Sequence, residues 1–265
     1  MGLRFLTLPI LRRRLRRLDR MDLGLSGRTA LVTASSKGLG RGAALALVAE
    51  GVNVVICART AESLDRTFDD VAAAAQGGAE VHAVAVDVTD VDAPAQLVAE
   101  TVERFGALDV LVANAGGPPR ASALEIDDAA ILAAINANML TTIRLVREAV
   151  PHMRIARWGR IVAITSNSIK QPIPHLALSN TARTGLWAWA KTASQDLFAD
   201  GITLNLACPG LHATERITSL GVPDGTPHGD PDDFGRVVAF LCSQPAAFIT
   251  GTAIAVDGGG VLGLL

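Results

Sequence analysis

The sequence predicts an α/β fold: a doubly wound parallel sheet of about seven strands with helices on both faces, in a single domain. Three observations predict it. From residue 28 onward, short apolar runs alternate with longer helical patterns, the order that builds parallel β–α–β units. The apolar runs are nearly continuous Val, Ile, Leu and Ala, as strands covered on both faces are. The chain has 265 residues, 49% hydrophobic and 19% charged, enough to bury a sizeable core and unlike a disordered polymer.

The elements follow in order. Thr29–Thr33 is a strand run, and Gly38–Glu50 reads as a helix opened by glycines. Asn53–Cys57 is strand, Thr60–Ala75 helix, Glu80–Val86 strand and Val91–Phe105 helix. Leu108–Asn114 is strand, and one long helical stretch runs from Asp127 to Arg157. Strand Arg160–Thr165, helix Ala177–Ala199, strand Thr203–Cys208, helix Pro231–Ser243 and strand Ala253–Val256 complete the pattern. There is no internal repeat, linker or second domain. No stretch reaches the 18 or so apolar residues of a membrane span.

Charge excludes a broad nucleic-acid surface, because the formal net charge is −2. The first twenty residues differ from the rest: they hold seven Arg and one Asp, +6, which leaves −8 on the remaining 245. Residues 1–22 read as a basic extension, expected to be a disordered leader, ahead of a domain over 23–265. Any membrane contact is expected only through that extension. Cys57, Cys208 and Cys242 sit far apart in apolar runs, without metal-ligand spacing and in odd number. They read as small buried thiols of a reducing, cytoplasmic compartment. The chain contains no tyrosine, which bars any mechanism that needs a tyrosyl proton donor.

In such sheets ligands bind outside the carboxyl ends of the strands. After the first strand comes Thr33-Ala34-Ser35-Ser36-Lys37-Gly38-Leu39-Gly40. Its glycines let backbone approach a phosphate, and the helix that follows offers its first N–H groups to the anion. The second strand ends Cys57-Ala58-Arg59, with no carboxylate for a ribose 2′-hydroxyl. Lys37 and Arg59 at one predicted corner suit a 2′-phosphate, hence NADP(H) over NAD(H). Asp87-Val88 follows the third strand, Asn114-Ala115-Gly116-Gly117 the fourth, and Pro209-Gly210-Leu211-His212-Ala213-Thr214 the sixth.

These motifs, with the closing Gly251–Gly259 segment, resemble the short-chain dehydrogenase/reductase family over about residues 24–260. The resemblance implies a Rossmann-type sheet, a nicotinamide cofactor, a small carbonyl or alcohol substrate, and homodimers or homotetramers. It places Ser35, Ser36, Lys37, Gly38, Leu39 and Gly40 along the pyrophosphate, although the family's first glycine is here Ala34. Arg59, Asp87 and Val88 would border the adenosine, and Asn114, Ala115 and Gly116 its ribose. Pro209, Gly210 and Thr214 would serve the nicotinamide side. Asn138 matches the family's helix asparagine, which helps hold a proton-relay water, with Asn136 a nearby competitor.

The family's active site is a serine, a tyrosine thirteen residues later and a lysine four after that. Ser166 fills the first place, but Ser179 and Arg183 fill the others. The i, i+4 spacing keeps Ser179 and Arg183 on one helix face. A serine hydroxyl is a far weaker acid than a phenol, and an arginine does not shuttle protons. In one reading hydride transfer persists, with Ser166, Ser179, Arg183 and Asn138 as the catalytic set, and the proton comes from another acid or a water. Lys170, His175 and His212 are the titratable candidates. In the alternative the chain binds NADP without catalysing, as a sensor or as a subunit partnering a competent paralogue. The resemblance is closest to the branch similar to 3-oxoacyl-(acyl-carrier-protein) reductases. The segment between Thr214 and Pro231 is shorter than the family's usual lid and predicts an open site or one closed by a neighbour. Trp187 and Trp189, two apart, point to different faces, one of them a candidate subunit contact.

Overall fold

The computed structural model describes residues 21–264 except 220 and 224. The basic extension expected over residues 1–22 therefore lies almost wholly outside the described residues. Seven parallel strands form one sheet in the order β3-β2-β1-β4-β5-β6-β7. They are β1 (Thr29–Val32), β2 (Asn53–Ala58), β3 (Val81–Ala85), β4 (Val110–Ala113), β5 (Gly159–Ile164), β6 (Ile202–Pro209) and β7 (Ala253–Val256). The helices are α1 (Gly38–Ala49), α2 (Ala61–Ala73), α3 (Ala93–Phe105), α4 (Asp128–Ile135), α5 (Thr141–Ala156), α6 (Ala177–Phe198), α7 (Glu215–Ser219) and α8 (Pro231–Leu241).

Alternate residues of each strand enter opposite cores. Leu31, Val55, Leu111, Ile161 and Leu204 meet α3, α5 and α6 through Leu97, Leu145, Met153 and Leu186. Val32, Val54, Ile56, Val110 and Val162 meet α1, α2 and α8 through Leu47, Leu64, Phe234 and Val238. Local chemistry starts the helices. The side chains of Thr60, Asp127 and Asp230 accept hydrogen bonds from the first-turn N–H groups of α2, α4 and α8. Gly106, at φ +78°, ends α3. Between α1 and α8 no side chain intervenes: a Cβ on Gly42 would stand 2.2 Å from the Pro231 carbonyl oxygen, and one on Gly235 2.1 Å from that of Gly42.

Two departures from the sequence reading bear on function. The long helix from Asp127 to Arg157 is interrupted by a wide π turn at Asn136–Leu140, where the N–H and hydroxyl of Thr141 both reach back to the Asn136 carbonyl. The continuous run Asp128–Ala156 is also long and apolar enough, by composition, to cross a membrane, contrary to the expectation. Its Leu145, Ala149 and Met153 are fully buried in the core beneath the sheet, the packing of an interior helix. The three cysteines are buried and unpaired, and burial pushes the Cys57 and Cys242 thiols up to about 12.

Candidate active site

Strand order reverses between β1 and β4, and the loops that follow the strands build a cleft there. The turn after β1 is tightly fixed. A Cβ on Gly40 would fall 2.6 Å from the Ala34 carbonyl oxygen and 2.9 Å from Asn114 Nδ2, so only glycine fits. Gly38 (φ +56°) and Ala34 (φ +45°) are left-handed, and Ala34 takes this conformation without being a glycine. Asn114, at the end of β4, donates from Nδ2 to the Ala34 carbonyl at 3.0 Å.

Ser35, expected along the cofactor, is corrected by its burial. It is fully buried, its hydroxyl donating to Val32 O (2.8 Å) and accepting from Cys57 N–H (3.0 Å). The side chain ties the turn to β2 and does not face the cleft. Lys37 is not an unpaired cation beside Arg59, because it is in an ion pair with Glu215 at the start of α7. Arg59 is exposed, close enough to add to the pull on Asp87. The Asp87 carboxyl lies below its usual range chiefly because Thr89 N–H donates to it, with the Thr89 hydroxyl assisting. Val88 turns its side chain into the core. Ala115 is half-buried and Gly116 exposed beyond β4. Pro209 ends β6, and Gly210 passes so close to Asp257 that a Cβ would lie 2.7 Å from its Cα.

On the other side of the switch, Ser166 caps a short 3-10 turn after β5, its Oγ accepting from Ser168 N–H at 3.1 Å. Ser179 and Arg183 lie one turn apart on α6, both buried. Arg183 Nη1 donates to the carbonyls of Ile164 (3.0 Å) and Thr165 (2.8 Å), while its Nε has no partner. Burial pulls this guanidinium down to about 10, and Arg216 adds to the fall. The two asparagines of the π turn part company. Asn136 donates to Thr89 O (2.9 Å) and accepts from Arg144 (2.7 Å), whereas buried Asn138 leaves both amide atoms unpartnered. The glycine cradle, the unpartnered Asn138 amide and the unpartnered Arg183 Nε fit a dinucleotide with its reacting end toward β5.

The short-chain dehydrogenase model matches residues 28–222. The chain belongs to the short-chain dehydrogenase family. Members are oxidoreductases acting on carbonyl and alcohol groups. A 3-oxoacyl-[acyl-carrier-protein] reductase of Synechocystis sp. is 33% identical over 248 residues, covering 90% of this chain and 98% of the relative. The solved L-sorbose reductase of Gluconobacter frateurii, complexed with NADPH and L-sorbose, superposes with a TM-score of 0.85 at 28% identity, over 92% of this chain and 100% of that one. YwfH, an NADPH-dependent reductase involved in bacilysin biosynthesis, superposes at 0.84 and 26% identity, over 89% and 99%.

Within this short-chain dehydrogenase fold the three titratable candidates have different surroundings. His212 is buried edge-on against Phe234 with ring centroids 5.1 Å apart, and burial lowers its pKa. It packs over Gly229, where a Cβ would meet the ring at 2.8 Å. His175 is exposed at φ +60° and pairs with the Ser122 hydroxyl. Lys170 Nζ lies 5.2 Å over the Trp187 ring. Trp187 and Trp189 are both half-buried against the core. The segment after Thr214 is short, yet α7 already reaches both rims. Glu215 meets Lys37 of the glycine turn, and Arg216 Nη2 donates to Pro118 O at 2.7 Å. Sequence reasoning passed over Glu215 and Arg216; the available signal was two adjacent residues of opposite charge directly after Thr214.

Proposed function

We propose that the chain is an NADP(H)-dependent oxidoreductase that interconverts a small carbonyl compound and its alcohol, with Ser166, Ser179 and Arg183 in place of the family's Ser, Tyr and Lys. The observation that carries this reading is Arg183: a buried cation held on the end of β5, in register with Ser179, whose buried Nε has no hydrogen-bond partner among the described residues. A structural arginine at such depth would have its donors satisfied.

Gly38, Leu39 and Gly40 would hold the cofactor's pyrophosphate, with Ser36 beside them. Asp87, Asn114, Ala115 and Gly116 would border the adenosine, and Pro209, Gly210 and Thr214 the nicotinamide. When bound, NADPH supplies the hydride. The preference for NADP rests on Ala58 at the end of β2, where a carboxylate would favour NAD, and on exposed Arg59. Lys37 contributes less than its charge implies, because Glu215 shares it.

The chain's own residues then manage the substrate oxygen. Ser166 Oγ accepts from Ser168 N–H, which leaves its own proton to donate to a substrate oxygen. Ser179 offers a second hydroxyl. The Arg183 charge stabilises negative charge developing on the oxygen. Neither serine gives up its proton without taking another, so the proton would pass along a relay: a serine hydroxyl donates to the substrate oxygen as it accepts a proton from a water held by the Asn138 amide, and bulk solvent replenishes that water. The protein works in the cytoplasm as a homo-oligomer; a depression of about 260 Å³ between α5 and α6, lined by Val150, Pro151 and Trp189, supports a subunit contact there.

NADPH oxidation is measured across 3-oxo thioesters, ketones and quinones, together with an NADPH titration. Turnover is expected, falling at least tenfold in Ser179→Ala and rising in the double variant Ser179→Tyr, Arg183→Lys. NADPH binding without turnover of any substrate would overturn the reductase reading in favour of a non-catalytic sensor, the reading that the absent tyrosine favours.

A further inference from the structure

The reductase reading leaves the class of carbonyl compound open, and two arginines bear on it. Arg183 is only 7% exposed. Arg216, on α7, is half-buried, with its guanidinium lying against Gly117, where a Cβ would come within 3.1 to 3.2 Å of three of its atoms. The loop Gly117–Pro118 follows β4, Arg183 is bonded to the end of β5, and α7 follows β6. These three strands are neighbours, so both guanidinium groups border one space at the carboxyl edge of the sheet.

Two cations act on one another there. Among the described residues neither Arg183 nor Arg216 forms an ion pair. Glu215, the acid next to Arg216, is committed to Lys37. Besides burial, Arg183 is lowered by Arg216, and Arg216 in turn by Arg120. Like charges gathered in a partly dry cleft oppose one another until an anion joins them. A guanidinium presents a planar fork of donors that matches a carboxylate or a phosphate. Arg216 uses Nη2 on Pro118, and the bare Gly117 lets the fork lie flat at the rim.

We propose that the substrate of this site is an anionic carbonyl compound whose carboxylate or phosphate is held by Arg216 at the rim of the cleft, while its carbonyl lies deeper, towards Ser166 and Arg183. The proposal rests on the reductase reading for the carbonyl but not for the anion.

The test uses the full chain loaded with NADPH. Acetoacetate is titrated against ethyl acetoacetate, and dihydroxyacetone phosphate against dihydroxyacetone, by calorimetry and by NADPH oxidation. At least one anion is expected to bind tenfold or more tightly than its neutral counterpart, with the advantage shrinking as salt rises. The preferred anion distinguishes carboxylate from phosphate. Arg216→Gln removes the advantage of the anion over its neutral counterpart; Arg216→Lys keeps part of it. Equal binding of anion and neutral partner, binding of neither, or an advantage that survives Arg216→Gln overturns the proposal. A tenfold loss of NADPH affinity in Arg216→Gln assigns this arginine to the cofactor and also overturns it. Anion preference without NADPH oxidation sinks the reductase reading alone; oxidation without anion preference sinks this proposal alone.

Discussion

At residue scale the turn after β1 holds a non-glycine residue in the left-handed region: Ala34, set by the resemblance at the family's first glycine, holds φ +45°. A left-handed alanine costs about 1–2 kcal/mol, and glycine's extra freedom in the unfolded chain costs back about 0.5–1 kcal/mol. Ala34→Gly is therefore expected to raise stability by about 0.5–1 kcal/mol, read as a shifted urea midpoint. The same scale shows what sequence reasoning could not see. Ser35 and Ser36 are alike in the string, but only Ser35 sits between β1 and β2 with its hydroxyl bonded to both. The proposed replacement of the family's tyrosine and lysine at 179 and 183 rests on the resemblance and its spacing; the structure adds that both residues are buried one turn apart on α6. The partners of Arg216, lying at Gly117 and Pro118, were not legible, because the contact joins residues 98 positions apart.

At element scale the strands were legible to within one or two residues, since a run covered on both faces leaves little room for polar residues. Element α7 was not, because five mostly polar residues show no period. The π turn was invisible for another reason: widening one turn leaves the apolar face on both sides intact. That turn separates two asparagines by function. Asn136 bridges β3's following loop to α5, whereas Asn138 has no hydrogen bond to lose. Asn136→Ala should cost about 2–3 kcal/mol of stability, and Asn138→Ala less than about 1 kcal/mol. If Asn138 holds the relay water, its variant alone loses turnover, tenfold or more. Equal melting losses in the two variants would contradict this division.

At the scale of the whole molecule each end of the sheet holds a buried arginine, and the two are held differently. At the amino end Arg160 is 2% exposed and fully engaged. It donates to Ser243 O, Gly159 O and Gly201 O, and its guanidinium lies 4.3 Å over Trp158. Beside it Asp109 accepts from Arg28 and from Thr29 N–H, both at 2.9 Å. At the carboxyl end Arg183 and Asn138 leave polar atoms unmatched. Removing Arg160 strands buried carbonyls and opens a cavity, so Arg160→Ala should cost about 3–4 kcal/mol, with the KM for NADPH unchanged in the folded fraction. A shifted KM would show that the two ends are coupled.

The contact of α1 with α8 through Gly42 and Gly235 has a mechanical consequence. The helix that carries the glycine turn and the helix that ends the β6–α8 segment are one rigid wall, with backbone pressed on backbone. Short helix α7 reaches that wall and the opposite rim through the tips of long side chains, Glu215 on Lys37 and Arg216 on Pro118. A dinucleotide seated along the glycine turn would lie beside these two contacts, which join the turn after β1 to the loop after β4 by way of α7.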